Sequence, residues 1–177
     1  SSTLSDAREV FQMHGKANLF IDPDGKPVLE AYFERVFLSG LRADFVLVLD
    51  VGEQLATELY DHGSRTSLTS KTTRMVELSS DDQTLISNQP IRLINYIPYA
   101  NLDEELVSSR FGNPEQKIME PETGITHWIY PDRGTSLGLN PNGKELIQYM
   151  PPGEIPALIK HIQDNNRSYE EAQKRES

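Results

Sequence analysis

Three short patterns in the chain contain residue types that could do chemistry. Gly134-Thr135-Ser136-Leu137-Gly138 matches the G-x-S-x-G pattern, in which a serine nucleophile sits on a strained turn between a strand and a helix. Here the following residues, Leu139-Asn140-Pro141-Asn142-Gly143, spell a turn into another strand, and only 39 residues remain to supply an acid and a histidine. Ser136 is therefore expected in a short strand with a row of hydroxyls. Gly138 to Gly143 with Lys144 nearly spells a phosphate-binding loop, but Glu145 stands where a hydroxyl should meet magnesium, and it would repel phosphate. Asp22-Pro23-Asp24-Gly25 resembles the opening of a calcium loop, yet its glycine comes at the fourth position and no glutamate follows at the twelfth. A hairpin turn accounts for it.

The four histidines, His14, His62, His127 and His161, are isolated, with no spacing that would put two on one face for a metal. Asp61-His62 with Ser64 suggests a triad, but neighbouring residues of a strand point to opposite faces and cannot act together. The chain has no cysteine, which excludes disulfides, thiol catalysis, iron-sulfur clusters and cysteine-based zinc sites. No catalytic, cofactor-binding or metal-ligating residue is assigned, and no cofactor is expected. The candidate interaction surface is Trp128 with Tyr130, which share one strand face; that spacing suits either a core stripe or a semi-exposed binding stripe.

The elements that must position these residues can be read from periodicity and turns. Leu4, Ala7, Val10 and Phe11 recur at helical spacing after a Thr3/Asp6 capping pair, with Gly15 as the stop. Two strands flank the turn at 22–26, the second running over 28–38 with Leu29, Ala31, Phe33 and Phe37 on one face. Residues 42–51 alternate as a strand with Phe45, Leu47 and Leu49 inward. Further strands are expected over 57–61 and 72–78, a loop or hairpin tip over 64–71, a polar connection over 79–90, and an apolar run over 91–97. Asn101 with Glu104 predicts a capped helix through Phe111, stopped by Gly112-Asn113-Pro114. Strands over 125–130, 135–139 and 145–150 follow, then an amphipathic helix built on Ile155, Leu158, Ile159 and Ile162. The expected core comprises Phe45, Leu47, Leu49, Phe111, Trp128, Leu139, Leu158 and Ile162.

These elements predict an α+β fold, an antiparallel sheet with helices packed on one face, because hairpin turns outnumber crossovers. The division is a β-rich half over 1–98, a helix, three-strand and helix unit over 99–164, and a polar, fraying tail over 165–177; one continuous domain is the alternative. Ile21-Asp22-Pro23-Asp24-Gly25-Lys26 and Leu139-Asn140-Pro141-Asn142-Gly143-Lys144 share one layout, each after an amphipathic helix. Two helix-hairpin units related by duplication, or two unrelated hairpins, would explain this echo. With 177 residues, 37% hydrophobic and 25% charged, the chain can bury a core, and no apolar run approaches the roughly 20 residues of a membrane helix. A net charge of −10, evenly divided between the halves, argues against nucleic acid or an anionic membrane surface as partner.

One segment carries a family resemblance. The capped helix, Arg110-Phe111-Gly112-Asn113-Pro114-Glu115, the strand Thr126-His127-Trp128-Ile129-Tyr130, and a hairpin closed by Asn142-Gly143-Lys144 together resemble the small bacterial outer-membrane lipoproteins of the SmpA/OmlA type. That family includes the BamE subunit of the barrel assembly machine. The resemblance covers about residues 101–155; Ala100-Asn101-Leu102 replaces the family's Gly-Met-Thr start, and the first hundred residues do not match. It implies a two-layer sandwich like that of β-lactamase inhibitor proteins, export to the periplasm, and a non-catalytic interaction or scaffold role with another cell-envelope protein. Ser1-Ser2-Thr3 would then end a linker from a lipidated cysteine upstream of Ser1, the only membrane attachment expected. The alternative is a small-ligand binder or enzyme whose site is assembled from distant residues.

Overall fold

A computed structural model describes residues 1–38, 40–69 and 72–177. Among these residues the chain is α+β, with five α-helices and ten strands whose registered pairings are antiparallel. It divides into two compact units, residues 1–94 and 95–177.

In the first unit α1 (Leu4–Phe11) opens on a full capping box, with the Thr3 hydroxyl accepting the Asp6 N–H and the Asp6 carboxylate accepting the Thr3 N–H at 2.7 Å. The helix ends at Gln12 in a left-handed conformation, earlier than the expected stop at Gly15. Strands β1 (Lys16–Ile21) and β2 (Pro27–Leu38) are joined by a turn in which the Asp22 carboxylate accepts the N–H groups of Asp24 and Lys26 at 2.9 and 2.7 Å. Together with β3 (Leu41–Leu49), α2 (Glu53–His62), β4 (Arg65–Leu68) and β5 (Arg74–Glu77), they give the strand order β4-β5-β1-β2-β3. Register places Ala17, Leu19, Leu29, Ala31, Phe33, Phe45, Leu47, Leu49 and Val76 on one face, all buried. Phe11 of α1 packs on this face against Phe33 and Phe45, with ring centroids 5.0 and 4.6 Å apart.

Three expectations for this unit are corrected. The segment expected as a strand over 57–61 is the end of α2; Leu55, Ala56 and Leu59 recur at i, i+1 and i+4, and the helical pattern outweighs the short alternation within it. The polar connection over 79–90 contains α3 (Ser80–Leu85), capped by the Ser79 hydroxyl, and a following 3₁₀ turn whose Ile86 is fully buried. It is tied down by side chains: the Gln83 amide exchanges hydrogen bonds with the Ala17 backbone, and the Arg8 guanidinium donates to Gln83 O and Ser87 Oγ. Phe37 is not on the inner face of β2. A bulge between Phe33 and Val36, with Arg35 at φ 54 and its N–H donated to the Asp44 carboxylate at 2.9 Å, turns Val36 inward. Phe37 is left 69% exposed. The hairpin tip expected over 64–71 is partly seen as β4 paired with β5; Ser70 and Lys71 lie outside the described residues.

Strand β6 (Ile91–Pro98) carries the chain from the first unit into the second. There α4 (Glu104–Phe111) precedes β7 (Gln116–Met119), β8 (Thr126–Tyr130), β9 (Thr135–Leu139) and β10 (Leu146–Tyr149), in the order β10-β9-β8-β7. One face of these strands carries Trp128, Tyr130, Leu137 and Ile147 against Val107 of α4, with Leu102 and Phe111 at the edge. The other carries Ile118 and Ile129 against Ile155 and Ile162 of α5 (Ile155–Glu176). The sheet-plus-helices sandwich thus has a helix on each face of this unit. Phe111, Leu139 and Leu158, expected in the core, are only partly buried at its margins.

Three further corrections fall here. The cap of α4 is Asp103, not Asn101; its carboxylate accepts the Leu106 N–H at 2.7 Å. Strand β7 was not anticipated, because four residues with one buried side chain offer no periodic signal. The tail expected to fray from residue 165 is helical to Glu176. Asp164 pairs with Lys160 and Arg167, and the Asn166 side chain donates to the Met119 carbonyl. No described helix is long and apolar enough to cross a membrane.

Candidate functional site

The residues singled out by motif are placed by the structure as follows. Ser136 lies in the middle of β9 and is 1% exposed, with its hydroxyl facing no hydrogen-bond partner. A nucleophile must be reached by substrate, and this one is not. Gly134 has its own explanation: at φ 58 it turns the chain into β9, and a Cβ there would run into the Met150 carbonyl, whose residue donates its N–H to Gly134 O at 2.8 Å. The candidate interaction stripe is corrected. Trp128 and Tyr130 are 2% and 5% exposed because α4 covers their face, so neither is available to a partner.

The histidines are scattered, and no three His, Asp or Glu side chains among the described residues come together to hold a metal. His14 and His161 are exposed. His62 does not join Asp61 or Ser64; its ring approaches Asp82, a buried carboxylate of α3, at 3.3 Å. His127 is the most enclosed. Its Nε2 meets Glu120 Oε1 at 2.5 Å, and Thr123 Oγ1 donates to Glu120 Oε2 at 2.8 Å. Burial raises the Glu120 pKa, but hydrogen bonds from His127 and Thr123 and the charges of His127 and His161 outweigh it and hold the carboxyl below its usual range. The group closes the β7–β8 turn beside α5.

A cavity of about 590 Å³ in the second unit is an open cleft assembled by three neighbouring segments. Leu102, Asp103 and Glu104 come from the start of α4; Gly124 and Thr126 from the β7–β8 turn and the first residue of β8; Leu139, Asn140, Pro141, Gly143 and Glu145 from the β9–β10 connection. Thr126 pairs with Leu139 in register, so the floor is the open end of the face that α4 covers farther along. Glu145 lies immediately before β10 and is buried, as is Ile147 two residues on.

Glu145 is 7% exposed, lines the cleft, and makes no hydrogen bond or ion pair with any described residue. Asp103 is occupied in capping α4, and Glu104 is 4.0 Å from Lys117. Lys117 also lies over the Trp128 ring at 3.9 Å, and Lys144 over the Tyr99 ring at 4.8 Å. The cleft therefore gathers three carboxylates over a partly apolar wall of Leu102, Leu139 and Pro141. In the sequence Glu145 stands out only as the residue that spoils a phosphate loop, and no local pattern marks it as part of a cleft.

A scan of protein-family models and searches of curated proteins and of solved structures gave no match to the chain.

Proposed function

We propose that the protein is a non-catalytic interaction module of the bacterial cell envelope, working in the periplasm and attached to the outer membrane through a lipid anchor. The observation that carries the binding role is Glu145, a residue 7% exposed that lines an open cleft and whose carboxylate pairs with no described residue. A carboxylate that faces a cleft from a largely enclosed side chain, with no cation of its own chain beside it, leaves a complementary charge to be supplied from outside. The resemblance of residues 101–155 to SmpA/OmlA-type lipoproteins supports the compartment.

A second reading, a binder of small molecules, is favoured by the cleft volume, which falls within the range of about 300–1,000 Å³ typical of such sites. The two are separated in the native host by fractionating the full-length protein and placing a photo-crosslinking residue at Leu102. An envelope location with a discrete protein adduct is expected. Recovery in the cytosol, or irradiation that yields no protein adduct, would overturn the proposal.

A further inference from the structure

The geometry points to an alkyl cation, a primary ammonium or guanidinium on an aliphatic stem, as the ligand of the cleft at the start of α4. The inference rests on reading this cleft as the binding site and adds the chemistry of what enters it. Glu145 supplies the charge at the floor: it is more than nine-tenths buried, faces the cavity, and is unpaired among the described residues. Glu104 and Asp103 stand at the mouth, both exposed. Leu102, Leu139 and Pro141 form the apolar part of the wall, suited to methylene groups behind a charged head.

The competing reading, an anion at a helix N-terminus, is blocked by the chain itself. The positive end of α4 is already met by the Asp103 cap and by Glu104 and Glu105 in the first turn. Nor do the chain's own lysines fill the role. Lys117 and Lys144 lie over the Trp128 and Tyr99 rings, and neither pairs with Glu145. Such a cation could come from a lysine or arginine side chain of a partner protein or from a free diamine. Each presents a cation on an aliphatic stem to Glu145.

The test titrates the full chain, labelled for amide NMR, with cadaverine, Nα-acetyl-lysine amide, Nα-acetyl-arginine amide and the uncharged Nα-acetyl-norleucine amide. Saturable shifts at the Leu102, Gly124 and Gly143 amides are expected with the charged probes and not with norleucine amide. Glu145→Gln should weaken binding by about tenfold or more, because a charge-assisted hydrogen bond becomes a neutral one. Glu104→Gln, at an exposed site, should weaken it less. Cadaverine binding better than the amino-acid amides identifies a free diamine; the reverse identifies a partner's side chain.

Absence of saturable binding by every charged probe overturns the inference, as does equal binding of norleucine amide. So does unchanged affinity in a Glu145→Gln variant that keeps the wild-type near-UV spectrum. If that variant fails to fold, the comparison of charged and uncharged probes on the wild-type chain still decides. Amine binding without a protein crosslink in cells would leave the inference standing and remove the protein-partner reading; a crosslink without amine binding would do the opposite.

Discussion

Leu137→Ala tests the packing on which the second unit depends. Leu137 is fully buried and registered directly opposite Trp128 on one side and Ile147 on the other, with Val107 of α4 in the same cluster. Truncation removes three carbons, worth about 2.4 kcal/mol at about 0.8 kcal/mol per buried methylene. The neighbours belong to paired strands and a capped helix and can collapse only in part. A residual void of about 50 Å³ adds about 1.2 kcal/mol at about 24 cal/mol per Å³. The expected loss is thus about 3.6 kcal/mol, or a fall in Tm of about 7–14 °C for a chain of this size. Trp128 is the single tryptophan, so its emission during denaturation reports this cluster directly. Met119→Ala, exposed on the edge strand β7, serves as control and should change stability by less than about 0.5 kcal/mol. A loss under about 1 kcal/mol for Leu137→Ala, or one equal to the control, would refute the assignment of this face as core.

Two further outcomes follow from the site's surroundings. Asp103→Ala should lose about 0.5–2 kcal/mol in a urea melt, because the Leu106 N–H loses its acceptor, whereas Asn101→Ala should stay within about 0.5 kcal/mol; the opposite ranking would restore Asn101 as the cap. Glu120 should make stability acid-sensitive: with its folded-state pKa depressed, its contribution is complete above the unfolded value and is lost as pH falls through the lower folded value. The stability gap between wild type and Glu120→Gln should therefore narrow as pH falls below the ordinary glutamate value of 4.5, and a gap that stays constant on acidification would exclude the role given to His127 and Thr123.

The parts of this fold legible in the sequence are those decided by residues close together in the chain. The Thr3/Asp6 capping box and the Asx-bonded turns at Asp22 and Asn140 are local hydrogen bonds made by side chains within four residues of their partners. Strands β1, β3, β8, β9 and β10 and the start of α5 were visible because their apolar residues recur at the period of the element. Where the local signal was weak or divided, as in α2, α3 and β7, the reading failed. Asn101 and Asp103 are both good caps two residues apart, and only the path of the backbone into α4 chose between them.

The candidate site was not legible for a different reason: burial is a property of what packs from elsewhere. Trp128 and Tyr130 could have been a stripe for a partner until α4 covered their face, and Ser136, opposite Ile129, could have been reached by substrate had α5 not covered the other. The bulge that turns Phe37 outward depends on Asp44, a residue of the neighbouring strand, accepting the Arg35 N–H. Glu145 shows the division most clearly. Its type and place before β10 were plain in the sequence; only α4 and the β9–β10 connection, brought together in the fold, decided that it would line a cleft. Hydrogen bonds between near neighbours and strand parity are set along the chain, whereas enclosure, and the cost of a charge held within it, is set by segments that meet only in the fold.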